Sequence, residues 1–200
     1  MTAGKKILVI SDTHGDIPAL EAILKWVNGY TSSTADSVTD GYNEGLKPVN
    51  TIGTAVFLGD GLRDLNRVAH TPTADFSPEW IKIRGNNDYA PSVPETAVFE
   101  SCGHRFFLCH GHRQNLYHGY NSLITAARNA EAKAALFGHI HVPVLYKTAD
   151  NLLLINPGSV GRPRNEYGAT FAVINCIPEK PLDVEFWRID PRGEIGLIHP

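Results

Sequence analysis

Seven side chains of the kinds that bind metal ions follow short apolar segments of this sequence. These segments, such as Lys6–Ile10 and Ala55–Leu58, are rich in branched and aromatic residues, which is typical of buried strands. Ligands of open α/β sheets bind at the carboxyl ends of the strands, so we expect the seven side chains to converge on one sheet edge. They are Asp12, His14, Asp60, Asn86, His110, His139 and His141.

This set of side chains indicates two metal ions rather than one. Four ligands complete a tetrahedral zinc site, whereas seven suit two ions that share a carboxylate and keep open positions for water and substrate. Oxygen and imidazole ligands without thiolate suit Mn, Fe, Co, Ni or Zn. Two divalent ions outweigh two carboxylates and a hydroxide in charge, so we expect an anionic substrate such as a phosphate ester.

The elements that must position these residues follow an α/β pattern. Asp16 can cap a helix with an apolar stripe through Leu20 and Val27, and a second helical segment runs from Leu123 to Ala132. The last third of the chain is mostly antiparallel β by pattern, which predicts one domain over residues 1–200 with two packed sheets. Residues 28–51 lack a sustained period and are predicted to be a surface insertion. The strands expected to end at the ligands are Lys6–Ile10, Ala55–Leu58, Ile81–Arg84, Arg105–Cys109 and Ala134–Phe137.

Several candidate ligands are open to a structural interpretation. A lone histidine is more often a core residue, but alternation along an extended segment would point His139 and His141 the same way, which favours a shared ligand role. Asn86 could instead accept left-handed backbone after Gly85. His112 is open between a partner of a ligand, a substrate contact and a surface residue. Four histidines without a motif partner are assigned no chemistry: His70, His104, His118 and His199.

Five ordered motifs carry a resemblance to a known family. Together they resemble the motifs of calcineurin-like metallophosphoesterases and, within that family, the small bacterial and archaeal phosphodiesterases of the YfcE type. The Asn-Pro-Gly-Ser-Val segment of those phosphodiesterases recurs at residues 156–160, and the resemblance spans residues 6–188. The motifs are Asp12-Thr13-His14, Gly59-Asp60, Gly85-Asn86-Asn87-Asp88, His110-Gly111-His112 and Gly138-His139-Ile140-His141.

The resemblance implies a fold, a metal arrangement and a reaction. The fold is an α/β two-sheet sandwich flanked by helices, the metallophosphoesterase-like four-layer fold. The reaction is phosphodiester hydrolysis, in which a hydroxide that bridges two divalent ions, usually manganese, attacks phosphorus in line with the leaving oxygen. By the same resemblance, one ion would be held by Asp12, His14, Asp60 and His141, and the other by Asp60, Asn86, His110 and His139, with Asp60 shared between them.

Asn87 departs from the pattern of many relatives, which carry a proton-donating histidine after the metal-binding asparagine. Asparagine cannot act as a general acid, although the small phosphodiesterases often have cysteine there and still work. We therefore expect faster hydrolysis of activated aryl diesters than of alkyl esters, with His112 or His14 as the candidate acid. Asn87, Arg162 and Arg164 are candidate substrate contacts, and solvated surface charge is the equal alternative for the two arginines.

Composition excludes several other classes of protein. With 42% hydrophobic and 20% charged residues the chain is globular, and a net charge of -3 without a basic block gives no support for binding nucleic acid or anionic membranes. Three cysteines without a C-x-x-C pair, and no signal-peptide core, predict a reducing cytoplasmic location. The expected partner is a small phosphoester, and a homo-oligomer is left open.

Two alternatives to a phosphodiesterase remain at this stage. The first is a protein-interaction scaffold of the same fold, similar to the retromer small subunit, although all seven ligand positions are filled here. The second is a phosphomonoesterase or nucleotide pyrophosphatase of the same family, because the ligands fix the reaction but the pocket walls fix what enters.

Overall fold

The strands that precede the candidate ligands lie side by side in two mixed sheets. The computed structural model describes residues 4–32, 52–68 and 78–200. In this part of the chain a six-stranded sheet has the order β11-β10-β9-β1-β2-β3, and a five-stranded sheet has the order β4-β5-β6-β8-β7. The strands of the first sheet are β1 (Lys5–Ile10), β2 (Ile52–Phe57), β3 (Glu79–Lys82), β9 (Ala169–Cys176), β10 (Asp183–Ile189) and β11 (Ile195–Ile198). Those of the second are β4 (Thr96–Ser101), β5 (His104–Cys109), β6 (Ala134–Phe137), β7 (Pro143–Lys147) and β8 (Leu153–Pro157).

The parallel strands of both sheets bring their carboxyl ends to the same edge of the sandwich. In the first sheet β1 pairs in parallel with β2, and β2 with β3. In the second sheet β6 pairs in parallel with both β5 and β8. The loops after these strands carry the candidate ligands, so the edge where they meet is called the metal edge below.

Alternating side chains of the buried strands build the layers. In β1, Leu8 and Ile10 pack towards the helices α1 (Ile17–Ser32) and α2 (Leu62–Val68), while Ile7 and Val9 pack between the sheets. The outer face of the second sheet is covered by α3 (Asn121–Asn129). Helix, sheet, sheet and helix follow one another, which confirms the predicted α/β two-sheet sandwich flanked by helices.

Helix α1 begins where the sequence predicts. The Asp16 carboxylate accepts a hydrogen bond from the Ala19 backbone N–H at 3.1 Å, which is the contact that an N-cap residue supplies. The helix continues to Ser32, so the predicted insertion starts too early at residue 28. The rest of that predicted insertion, residues 33–51, lies outside the described residues.

Two edge strands, β4 and β11, were not predicted. Both pair on one side only, and β4 alternates half-buried with exposed residues, so neither produces the continuous apolar run of a central strand. Among residues 4–32, 52–68 and 78–200, no helix is long and apolar enough to cross a membrane.

The apolar layer between the sheets should contribute strongly to the free energy of unfolding. Phe106 is fully buried in this layer and stacks on Phe99 with ring centroids 4.7 Å apart. Phe106→Ala removes a large side chain from a rigid site, so we expect the free energy of unfolding to fall by about 3–5 kcal/mol in urea titrations. Phe106→Leu should cost clearly less, and Leu197→Ala, at a side chain 46% exposed, should change it by about 0.5 kcal/mol or less. An equal loss in all three variants would contradict this assignment of the core.

Candidate metal centre

Five of the seven predicted ligands meet at the metal edge. Two groups of three side chains each place their ligand atoms within 4.8 Å of one another: Asp12, His14 and His141 in one, and Asp12, Asp60 and His110 in the other. Asp12 Oδ1 lies 3.2 Å from His141 Nε2, and Asp60 Oδ2 lies 3.4 Å from His110 Nε2. Asp12 therefore belongs to both groups, whereas the resemblance assigns the bridging role to Asp60.

The chain turns through left-handed backbone to aim these side chains. The φ angles are 55° at Asp12, 45° at His14, 57° at Asp60, 72° at His139 and 63° at His141. This conformation is uncommon for residues other than glycine and persists only where the surroundings impose it. Strain of this kind concentrates at functional sites, and five of the ten such residues in the described part of the chain are predicted ligands.

One oxygen of the Asp12 carboxylate accepts hydrogen bonds, and the other accepts none from the described residues. Its Oδ2 accepts hydrogen bonds from the Ser11 hydroxyl at 2.5 Å and from the His139 backbone N–H at 3.0 Å. Its Oδ1 is buried and, among the described residues, has no hydrogen-bond donor. A bare buried carboxylate oxygen is costly unless a cation faces it, so the residues present fit a metal ion.

Two histidines are oriented by hydrogen bonds to backbone carbonyls. His110 Nδ1 lies 2.7 Å from the Leu58 carbonyl, and His141 Nδ1 lies 2.6 Å from the Arg162 carbonyl. Because a carbonyl only accepts, Nδ1 carries the proton in both rings and Nε2 is left with its lone pair towards the centre. His110 Nε2 is also buried without a hydrogen-bond partner in the described structure, which is the arrangement of a metal ligand.

In the metal-free protein, the imidazoles and carboxylates shift one another's pKa values. Burial by itself would raise the pKa of Asp12, but the neighbouring His14, His141 and His110 outweigh it and hold the pKa far below its usual value. Burial is likewise outweighed at Asp60, whose pKa is lowered mainly by His110. The same two carboxylates raise the pKa of His110 against the effect of its burial.

Asp88 fixes the loop that carries Asp60. Its carboxylate accepts four backbone hydrogen bonds at 2.7–2.9 Å, from Asp60, Gly61, Leu62 and Gly85. Two of the donors lie at the start of α2, so the carboxylate also holds the free N–H groups of that helix end. Asp88 is thus a positioning residue.

Asn87, a predicted substrate contact, is engaged with Asp60. Its side-chain amide donates to Asp60 Oδ2 at 2.5 Å, and its backbone N–H donates to Asp60 Oδ1 at 2.8 Å. Gly85 makes this approach feasible, because a Cβ at that position would overlap Asp60 Oδ1. Asn86, the predicted ligand beside it, is exposed on the same loop.

His139 lies next to the two groups rather than inside them. Its ring stands edge-on to His110 with centroids 5.1 Å apart. The argument that alternation points His139 and His141 the same way is wrong, because both residues have left-handed backbone and the segment is not extended. The role of His139 and Asn86 as ligands stays a prediction.

The two candidate acids occupy different surroundings. His14 Nε2 is within the centre, 3.2 Å from His141 Nε2. His112 is half-buried at its margin, with Nε2 4.0 Å from Glu95 Oε1. Burial and the nearby His110 lower the pKa of His112.

Arg162 and Arg164 are exposed beside His141. The Arg164 guanidinium donates to the Tyr117 hydroxyl at 2.9 Å, and the Tyr117 ring lies edge-on to His139 at 5.7 Å. Arg162 is tied to the centre through its backbone, because its carbonyl accepts from His141 and its N–H donates to Ser159 Oγ at 2.9 Å. Both guanidinium groups are exposed at the rim, and that of Arg164 is held in place by Tyr117.

Sequence reasoning missed several residues that support the centre. Ser159 donates to the Asp12 carbonyl at 2.8 Å, and Asn156 donates to the Gly138 carbonyl at 2.8 Å. Both residues belong to the Asn-Pro-Gly-Ser-Val segment, which is visible in the sequence as part of the family resemblance but does not by itself show that it contacts the ligand loops. Glu95 bonds to Arg84 and Arg113 near His112, and no motif marks it.

A model of the calcineurin-like phosphoesterase superfamily domain matches residues 6–177. The chain belongs to the calcineurin-like phosphoesterase superfamily. The family is metal-dependent, in agreement with the bare ligand atoms described above.

Curated relatives carry names from the same family. A probable metallophosphoesterase of Mycoplasma pneumoniae is 29% identical over 163 residues, covering 80% of this chain and 82% of the relative. The phosphodiesterase YfcE of Escherichia coli is 27% identical over 178 residues, covering 85% and 87%. The family and these names support a phosphoester hydrolase.

Solved structures show the same fold. The crystal structure of a predicted phosphoesterase from Streptococcus pneumoniae has a TM-score of 0.67 at 23% identity and covers 99% of both chains. Vps29 of Entamoeba histolytica, as a single mutant, has a TM-score of 0.70 at 18% identity, with 96% of this chain and 97% of that chain covered. At these identities the likeness concerns the fold alone.

Substitutions of Asp88 should lower both stability and metal affinity, and more so the more acceptor capacity they remove. Asp88→Ala removes the acceptor of four backbone hydrogen bonds, so we expect the free energy of unfolding to fall by about 2 kcal/mol or more. Metal affinity measured by calorimetry should fall about 10-fold to 100-fold, because the Asp60 loop loses its support. Asp88→Asn keeps part of the acceptor capacity and should fall between the wild type and Asp88→Ala. The surface variant Asp183→Asn should leave metal affinity unchanged, and a matching loss there would contradict the positioning role.

Metal-free protein should lose stability as the pH rises above neutrality. A folded pKa of His110 raised above the ordinary value of 6.5 stabilises the fold below that value, and this contribution is lost as the pH rises through the raised pKa. Urea unfolding with a chelator between about pH 6 and about pH 9 measures the slope. His110→Asn should flatten it, while the exposed control His118→Asn should keep it. A flat wild-type profile would contradict the His110 assignment.

Proposed function

We propose that the protein is a phosphodiesterase that works with two divalent metal ions at the metal edge. The observation that carries the proposal is the pair of buried ligand atoms without hydrogen-bond partners in the described structure, Asp12 Oδ1 and His110 Nε2, within a group of carboxylates and imidazoles. The relatives named phosphodiesterase support the subclass.

We assign the donor set to two ions. Asp12, His14 and His141 form one group, and Asp12, Asp60 and His110 form the other, with the His139 ring beside His110. Asn86 would complete the second set from its exposed loop. When bound, the divalent ions supply Lewis-acid activation of water and neutralise charge on the phosphate, and manganese is the expected working metal.

The chain's own residues then bind and orient the substrate. Arg162 and Arg164 are exposed next to His141, where guanidinium groups can hold phosphate oxygens. Tyr117 restrains Arg164 through its hydroxyl, which limits the side-chain freedom that phosphate binding would otherwise remove. His112 is the candidate proton donor to the leaving oxygen, since it lies at the margin of the centre and not inside it.

Asn87 limits which esters are hydrolysed quickly. Its amide is engaged with Asp60 and, as an amide, has no proton to give to a leaving alkoxide. Esters with stable leaving groups such as aryl oxides need less protonation. Activated aryl diesters are therefore the substrates on which we expect turnover to be fastest.

The experiment compares two chromogenic esters with defined metals. Protein stripped with a chelator and reloaded with Mn, Fe, Ni, Co, Zn or Mg is assayed on bis(p-nitrophenyl) phosphate and p-nitrophenyl phosphate. We expect metal-dependent turnover that favours the diester. Asp60→Asn should lower kcat by about 100-fold or more, because it removes a charged ligand.

The matched control is Asp150→Asn, which neutralises a carboxylate paired with Arg128 on the far surface and should keep full activity. Turnover that favours the monoester would replace the phosphodiesterase by a phosphomonoesterase of the same family. Metal bound tightly without turnover of any ester would contradict the enzyme and favour a scaffold with the same fold.

A further inference from the structure

A large concavity lies at the end of the sandwich opposite the metal edge. Its volume is about 1620 Å³, and its walls are the amino ends of strands from both sheets together with the β4–β5 and β9–β10 turns. Ligand pockets usually measure about 300–1000 Å³, so this space admits a small molecule of nucleotide size with water around it. It is called the polar-end cavity below.

Lysines dominate the rim of the polar-end cavity. Lys5, Lys133, Lys147 and Lys180 line it, against two glutamates, Glu79 and Glu179. All four lysines are exposed, and across the described ranges 4–32, 52–68 and 78–200 none of them pairs with a carboxylate. A local excess of unpaired cations in a chain with a net charge of -3 favours an anionic ligand.

The floor of the cavity is apolar and one of its walls is fixed. Ile52, Leu153 and Leu182 line it, which adds surface that a purely inorganic anion would leave uncovered. Cys102 and Gly103, with φ of 50° and 77°, form the tight turn between β4 and β5, so this wall is already in place before a ligand binds.

His104 follows the tight turn and lines the cavity beside Gly103. Its Nε2 is buried without a hydrogen-bond partner in the described structure and is closed off from solvent, so a ligand in the cavity does not reach this atom. His104 therefore contributes to the shape of the wall, and the charge that attracts an anion comes from the lysines.

We propose that the polar-end cavity is a binding site for a phosphorylated small molecule with an apolar or aromatic part, of which a mononucleotide is the simplest. The lysines meet the phosphate as point charges, and the apolar floor receives the rest of the molecule. The concave shape distinguishes this site from a flat basic surface for nucleic acid.

The site is separate from the metal edge. The parallel strands that start at this cavity end at the candidate ligands, and six residues of strand such as β1 span about 20 Å. A ligand here therefore cannot contact the metal centre directly. The proposal does not depend on the catalytic one and can fail or succeed independently.

The test titrates the zinc-loaded 200-residue chain with AMP, using adenosine and inorganic phosphate as separate probes. Nitrogen-15 NMR should show saturable shifts at the amides of Gly53 and Gly103, which line the cavity. AMP should bind more tightly than either fragment. Shifts confined to Gly59 and Gly138, which flank the metal ligands, would overturn the proposal, as would phosphate binding as tightly as AMP.

Variants distinguish binding in the polar-end cavity from binding at the metal edge. Lys133→Gln combined with Lys180→Gln should weaken AMP binding at least about 10-fold by calorimetry, because charge-assisted contacts are lost. Lys25→Gln, an exposed lysine of α1, removes the same charge elsewhere and should bind AMP like the wild type. Asp60→Asn should also retain the binding at Gly53 and Gly103. An unchanged dissociation constant in the double variant, with an intact NMR spectrum, would overturn the proposal.

Discussion

The bare Oδ1 of the buried Asp12 carboxylate is the constraint around which the metal edge is organised. A buried charge without a partner is unfavourable, and in the metal-free protein the neighbouring histidines are what keep this carboxylate ionised. The backbone adds to the cost, because Asp12 itself and His14 have left-handed φ angles. A divalent cation bound at this place would offset both the cost of burying the charge and the cost of the strained backbone.

The centre is built across the two sheets, so its geometry depends on their packing. Asp12 follows a strand of the first sheet, whereas His110 and His141 follow strands of the second. The backbone N–H of His139 reaches Asp12 from the second sheet, and Ser159 reaches the Asp12 carbonyl from the same side. Each of these contacts fixes the distance between the sheet edges, and the apolar layer around Phe106 holds the sheets at that distance. Stability and metal binding are therefore coupled.

The two ends of the sandwich have opposite electrostatic character. The metal edge gathers carboxylates and imidazoles, which select cations, while the polar-end cavity gathers unpaired lysines, which select anions. Parallel strands make this separation possible, because all their carboxyl ends face one way and all their amino ends the other. The same β1 strand carries Lys5 at one end and precedes Asp12 at the other.

The sequence by itself determined the strands before the ligands, the Asp16 cap and the fold class, because these depend on local apolar patterns and on hydrogen bonds between residues three positions apart. It also picked out the side chains that converge, since strand ends in an α/β sheet share an edge. It did not reveal that Asp88 holds the Asp60 loop, that Asn87 is engaged with Asp60, or that His104 and four lysines share a cavity. Those contacts join residues from distant parts of the chain, and no local pattern encodes the distance between them. Only the pairing and stacking of the two sheets, which is a property of the whole chain, decides which of these groups meet.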